Sequence, residues 1–181
     1  MTEKKVTAKD ITASMMANLR FTKKINLLAT EVGRFSSDIL GLNADKGLFV
    51  EVEVKISKSD LMNDFKKYKH EYYLHQYKNK EPLKDSRHWK WYNSFVPKQF
   101  FFAVPEYMLE YTLNAVEGLP YGVICYRHSK IAHFRRVRVE KRAKKLHDKP
   151  VPPNVIDDVL LRMSSELSNF HIDEAVRRWK S

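Results

Sequence analysis

The sequence predicts an α/β domain: a central mixed sheet with helices on both faces, in three α/β/α layers, and a helical extension at the C-terminal end. Three observations carry this. The element order runs helix, three-strand meander, helix and then further strands, which needs a sheet covered on both sides. The stretch VEVEVKI (50–56) alternates apolar and charged residues, the period of a strand. KQFFFAVP (98–105) is almost continuously apolar, as in a strand buried on both faces. The expected boundaries are a domain over 1–149 and an extension packed on it over 150–181.

Taken in order, AKDITASMMANLR (8–20) puts Ile11, Met15, Met16 and Leu19 on one helical face. KINLLATEVGR is short, apolar and closed by Gly33-Arg34, which predicts a strand. SSDILGLN predicts a second strand, NADKG a turn, and GLFVEVEVKIS a third strand, so the three form an antiparallel meander. Ser57 or Ser59 caps the following helix, and Asp60 lies three residues after Ser57 as in a capping box. That helix, DLMNDFKKYKHEYYLHQ, repeats Leu61, Phe65, Tyr68 and Tyr72 at near-helical spacing.

Residues 78–97 are polar and aromatic without a clean period, which predicts a long loop of the kind often used for function. Beyond KQFFFAVP, Pro105 opens a helix over EYMLEYTLNAV, and Gly118 and Pro120 close it. YGVICYR and KIAHFRRVRV predict two strands around His128-Ser129. PVPPN is a rigid break. An amphipathic helix over NVIDDVLLRMSSELSNF and a short last helix over IDEAVRRWK follow it. The apolar face formed by Val155, Val159, Leu160, Met163 and Leu167 needs cover, either from the domain or from a homodimer contact.

Composition narrows the partners. Hydrophobic residues make up 43% of the chain, enough for a core, and no apolar run reaches the ~18 residues of a membrane span. The N-terminal MTEKKVTAKD lacks the apolar stretch of a signal peptide, and the single cysteine, Cys125, excludes an internal disulfide or a multi-cysteine zinc site. A reducing, cytoplasmic setting is expected. The formal net charge of +11 favours a polyanionic partner such as nucleic acid. The positive charge concentrates in FRRVRVEKRAKKLHDK (134–149) and over 66–90.

The alternation in VEVEVKI raises the chemical question. Val50, Val52, Val54 and Ile56 share one face of the strand, while Glu51, Glu53 and Lys55 share the other. Glu is poorly suited to strands, and the third strand of a meander that continues into a larger sheet is not an edge. The charged face is therefore expected to be used. Asp38 lies fifteen residues before Glu53, and pairing across NADKG brings the two together. An Asp and a Glu on neighbouring strands suit a hard divalent cation such as Mg²⁺ (or Mn²⁺), which keeps waters and takes substrate phosphate. A lysine on the same side can orient a water or offset charge as phosphorus is attacked.

Asp38 followed by Glu53-Val54-Lys55 resembles the signature of the PD-(D/E)xK nuclease superfamily, with Ser37 where the pattern has Pro. The order strand with Asp, strand with ExK, then helix is also similar. VEVEVKISKSDLMNDFKKYKH, FFFAVPE and YGVICY further resemble the MmcB-like DNA-repair and phage-encoded nucleases, over roughly residues 25–147. The resemblance implies a restriction-endonuclease-like core and Mg²⁺-dependent hydrolysis of DNA. It also implies Asp38, Glu53 and the Val54 carbonyl as metal ligands, and Lys55 as the catalytic lysine. Glu31 is the available further ligand. Glu51 either reaches the metal through water or pairs with a basic side chain.

Three further groups bear on nucleic acid. Lys67, Lys69 and His70 either grip phosphate beside the metal or belong to a solvated helix with i,i+4 pairs, together with Asp60 and Asp64. Trp89, Trp91 and Tyr92 either stack on bases or fill the core beneath their loop. Arg135, Arg136, Arg138, Lys141, Arg142, Lys144 and Lys145 form an expected phosphate-backbone footprint. The histidine spacings do not suit zinc. Cys125 lies in an apolar strand, where a thiol is usually inert. A non-catalytic nucleic-acid-binding protein and an RNA-directed nuclease share most of these features.

Overall fold

The computed structural model describes residues 6–32, 37–43, 45–81, 96–128 and 136–180, with side chains to Glu174. Its elements are α1 (Ala8–Ala17), β1 (Leu27–Val32), β2 (Ser37–Asn43), β3 (Leu48–Val54), α2 (Lys58–Asp64), α3 (Tyr68–Asn79), β4 (Gln99–Pro105), α4 (Leu109–Ala115), β5 (Gly122–Tyr126), β6 (Val137–Lys141) and α5 (Pro153–Lys180). The six strands lie in sequence order. Strands β1 to β3 are antiparallel, β3 to β5 are parallel, and β6 returns antiparallel on β5. This is the expected mixed sheet in three layers, with β4 at its parallel centre.

One face carries Ile39, Val50, Val52 and Val54 against Ile11, Met15 and Leu19 of the α1 segment. The other face carries two clusters. Phe100, Phe102 and Val104 pack under Leu61, Tyr72 and Tyr73 of α2 and α3. Leu40, Leu42 and Phe49 pack under Val155 and Val159 of α5. The turn chemistry matches the sequence expectation. Asn43 Oδ1 accepts from Lys46 N at 3.0 Å, and Gly47 (φ +54) and Gly118 (φ +72) take left-handed positions that favour glycine.

Four elements differ from expectation. Helix α1 passes into a π-helical turn, Asn18–Thr22, instead of continuing as α-helix to residue 20. The helix expected over 60–76 is two helices. Lys67 is extended (φ −70, ψ 137), and the break shifts the helical phase, so Tyr68 is exposed while Tyr72, Tyr73 and Gln76 are buried. Residues Glu106–Met108, expected as the start of a helix, form a 3-10 turn ahead of α4. The last strand is described from Val137, and the residues expected to open it, 130–135, lie outside the described ones. The two C-terminal helices are one, because no Gly or Pro interrupts 154–180. Val155 and Val159 are buried against β1 and β2, but Leu160 and Leu167 are exposed. Among the described residues, no helix is long and apolar enough to cross a membrane.

Candidate active site

Register brings the acidic residues together. Ile39 pairs with Val52, so one step further along the antiparallel ladder sets Asp38 opposite Glu53, on the face that carries α2, α3 and α5. The Val54 amide donates to Asp38 Oδ2 at 2.7 Å. The N–H and C=O of one strand residue point to the same side, so the Val54 carbonyl also leaves β3 toward β2. Asp38 Oδ1 has no partner among the described residues. Burial and the charge of Glu53 push the Asp38 carboxyl above the usual aspartate range, against the Val54 hydrogen bond. Lys55 and Lys67 pull it down, but by less than burial and Glu53 push it up.

The charged face of β3 is not a solvated one. Glu51 and Glu53 are 0% and 1% exposed, so their charges need partners inside the protein. Lys55 Nζ donates to Glu53 Oε2 at 2.7 Å. Lys69 Nζ donates to Glu53 Oε1 at 2.5 Å and to Glu51 Oε1 at 2.8 Å. The Tyr73 hydroxyl donates to Glu51 Oε2 at 2.5 Å. Asp64 Oδ1 makes ion pairs without an aligned hydrogen bond, to Lys55 Nζ at 3.1 Å and to the Lys67 ammonium, which is also 3.6 Å from Glu53 Oε2. Behind them His70 Nε2 lies 2.9 Å from Asp64 Oδ2, and His70 Nδ1 lies 3.0 Å from the Tyr121 hydroxyl. Four carboxylates (Asp38, Glu51, Glu53, Asp64), with Asp60 at the margin 3.9 Å from Lys55, therefore face three ammonium groups.

The protonation of this cluster follows from that pairing. Burial alone would lower the Lys69 pKa, but the charges of Glu51 and Glu53 outweigh it and hold it above the usual lysine range. Burial would likewise lower Lys55, but Glu53 and Asp64 raise it. Burial would raise Asp64, but the hydrogen bond from His70 and the nearby lysines hold it well below the usual carboxylate range. Burial, then the charge of Glu51, drives the Tyr73 hydroxyl far up, so it remains a donor.

The sequence-derived candidates divide. Asp38, Glu53, Val54, Lys55 and Lys67 converge, and Glu51 takes the basic-partner alternative through Lys69. Lys69 and His70, expected either at phosphate or on a solvated helix, are each 3% exposed and spent on internal partners. The helix break turns them inward, and neither faces solvent. Glu31 is 82% exposed on a left-handed residue (φ +48), and its carboxylate lies 3.6 Å from Arg162 of α5. In the basic footprint, Arg138, Arg142, Lys144 and Lys145 are exposed and Arg136 is half-buried. Lys141 is not presented: its ammonium donates to the Val116 and Leu119 carbonyls at 2.5 and 2.9 Å. Arg135, Trp89, Trp91 and Tyr92 lie outside the described residues. Cys125 is buried, and burial raises its thiol.

The donor set suits a hard cation of the Mg²⁺ type. It offers an Asp38 oxygen unpartnered among the described residues, Glu53 opposite it, and a carbonyl on the same side. Among the described residues no three His, Cys, Asp or Glu gather as a self-sufficient metal site. Mg²⁺ commonly binds through one or two carboxylates while keeping waters, so the two arrangements are compatible. The competitors for Glu53 are Lys55 and Lys69, at 2.7 and 2.5 Å from its two oxygens, and Lys67 at 3.6 Å, whose side chain alone of the three is substantially exposed, at 39%. A cavity of about 550 Å³ bounded by Leu19, Val50, Phe101 and Ile124 is on the opposite face of the sheet and shares no residue with this cluster.

Sequence reading gives Tyr121 no role and places Asp64 on a solvated face. A signal for Asp64 exists, since it and His70 flank the Phe65–Lys67 break, but the break has no Gly or Pro to announce it.

No family model matches the chain, and no curated protein matches it. Among solved structures, the fold is similar to that of the SPO1766 protein of unknown function from Silicibacter pomeroyi. The TM-score is 0.53 at 16% identity, over 96% of this chain and 94% of that one. At that identity the likeness concerns the fold alone.

Proposed function

We propose that this chain is a metal-dependent nuclease of the PD-(D/E)xK type that hydrolyses DNA phosphodiester bonds in the cytoplasm. One observation carries the reading: Asp38 faces Glu53 across β2 and β3, and Lys55 lies 2.7 Å from Glu53 on the same face. Asp38, Glu53 and the Val54 carbonyl would hold Mg²⁺ or Mn²⁺. When bound, that ion supplies an acidified water and neutralises charge at the scissile phosphate.

The chain's own residues do the rest. Lys55 is held as an ammonium, so it acts as a hydrogen-bond donor and point charge, not as a base. It can donate to the attacking water or to a phosphate oxygen that gains charge. Lys69 holds Glu53 in place. Lys67, the half-exposed lysine of the cluster, suits a substrate phosphate. Arg138, Arg142, Lys144 and Lys145 supply sequence-independent contacts to the phosphate backbone.

A second reading has its own observation. Both Glu53 oxygens are already held by lysines, as in a structural ion network, and this favours a protein that binds nucleic acid without cutting it. RNA as substrate shares every residue above. Wild type and Lys55→Ala are to be incubated with supercoiled, linear, branched and single-stranded DNA and with RNA, in Mg²⁺, Mn²⁺ or EDTA. The nuclease reading expects metal-dependent cleavage by wild type and none by Lys55→Ala at unchanged binding. Binding that survives EDTA, with no cleavage in any condition, selects the second reading.

A further inference from the structure

We infer that Asp64, fixed by a His70–Tyr121 hydrogen-bond chain, is a positioning residue that holds Lys55 and Lys67 for the reaction. The inference rests on the nuclease reading. The break between α2 and α3 is the device. Asp64 is the last residue of α2, Lys67 lies in the extended turn, and His70 lies in the first turn of α3, so the interrupted helix aims three charged or polar side chains at one point under β3.

His70 cannot wander. Its ring is enclosed by Phe65, Phe100, Phe102 and Tyr121, with centroids 5.6, 5.2, 6.1 and 5.3 Å away. An ionised carboxylate only accepts, so Nε2 carries the hydrogen shared with Asp64 Oδ2. The other Asp64 oxygen is thereby left to the two ammonium groups. Lys55 already has Glu53 Oε2 as its nearest carboxylate oxygen, at 2.7 Å, and without Asp64 Lys67 would have it as well. Lys67 would then crowd the metal ligand, and Lys55 would keep only Glu53 and the more distant Asp60, 3.9 Å away, as anchors. The carboxylate therefore does more than balance charge: it keeps Lys67 off Glu53 and gives Lys55 a second, fixed contact.

The test uses full-length wild type, Asp64→Asn and Tyr121→Phe. It combines steady-state cleavage in Mn²⁺ with ¹⁵N detection of slowly exchanging lysine ammonium groups. Asp64→Asn is expected to lower kcat roughly 10- to 100-fold, the usual worth of a residue that orients a ligating or reacting group, with KM little changed. The Lys55 ammonium signal is expected to shift or vanish. Tyr121→Phe removes one hydroxyl and no charge, and is expected to lower kcat roughly 2- to 10-fold, the worth of one hydrogen bond. A folded Asp64→Asn with wild-type kcat overturns the inference. If Asp64→Asn does not fold, an unchanged kcat and ammonium signal in Tyr121→Phe overturns it. If wild type cuts nothing, the nuclease reading fails on its own. A Lys55 signal that then persists in Asp64→Asn overturns the positioning claim as well.

Discussion

The ammonium of Lys69 lies 2.5 Å from Glu53 Oε1, inside the protein and 16 residues along the chain from the carboxylate it neutralises. With Glu51 and the Tyr73 hydroxyl it forms a buried charged layer on the same face of the sheet as Asp38 and Lys55. That layer makes a charged strand compatible with a central position in the sheet.

Removal of Lys69 should therefore be felt as stability. Lys69→Met leaves buried Glu51 without a cation and takes one of two close lysines from Glu53, and it is expected to cost about 3–5 kcal/mol, because breaking one side of a buried pair strands the other charge. Adding Glu51→Gln should recover part of the loss. Urea unfolding of the single and double variants measures this, and a loss under about 1 kcal/mol for Lys69→Met would mean that the layer is wetter than described.

Asp38 should behave oppositely. Its carboxyl titrates above its ordinary 3.8, so the folded state holds a proton longer than the unfolded one. Stability from this group falls as pH rises from below 3.8 through the folded value, and the ionised form costs stability at neutral pH. Asp38→Asn is expected to raise Tm at neutral pH without metal, and to lose the further rise that wild type gains on adding Mn²⁺. Thermal melts with and without Mn²⁺ check both parts.

Asp64 sets the acid limit. Its carboxyl is held well below the ordinary 3.8, so its contribution is fully present above that value and is lost as pH falls toward the folded one. Lys55 and Lys69 are raised above 10.5, so theirs is fully present below that value and is lost only as pH rises through the folded values. From neutral pH down to about pH 3, unfolding free energy should fall more steeply in wild type than in Asp64→Asn. Parallel curves would remove Asp64 from the network.

The basic segment divides by exposure. Neutralising Arg138, Arg142, Lys144 and Lys145 together should weaken DNA binding across sequences. It should also flatten the salt dependence, by roughly 0.9 in the log–log slope for each phosphate that the protein ceases to neutralise. Lys141→Ala should leave that slope alone and lower Tm, because its ammonium serves the Val116 and Leu119 carbonyls. Binding measured from about 50 to about 300 mM salt separates the two effects.

Much of this is legible in the sequence because it is local or periodic. The alternation over 50–56 and the turn at NADKG are enough to bring Asp38 opposite Glu53, since a hairpin register follows from turn length. Ser57 caps α2 as its spacing with Asp60 suggests. The inward turn of Lys69 and His70 is not legible. The Phe65–Lys67 break is stabilised by Phe65 packing on Phe102 and Tyr121, both distant in the chain, and no local residue signals it. The same holds for Glu31, whose spacing before Asp38 suits a ligand but whose backbone conformation and Arg162 partner are tertiary facts.

The central claim is that Asp38 and Glu53 jointly hold a divalent ion, and electron paramagnetic titration of Mn²⁺ tests it most directly. Wild type is expected to remove one equivalent of the free Mn²⁺ signal, and Asp38→Asn and Glu53→Gln to remove little at the same concentrations. Equal uptake by all three proteins, or none by wild type, would contradict it.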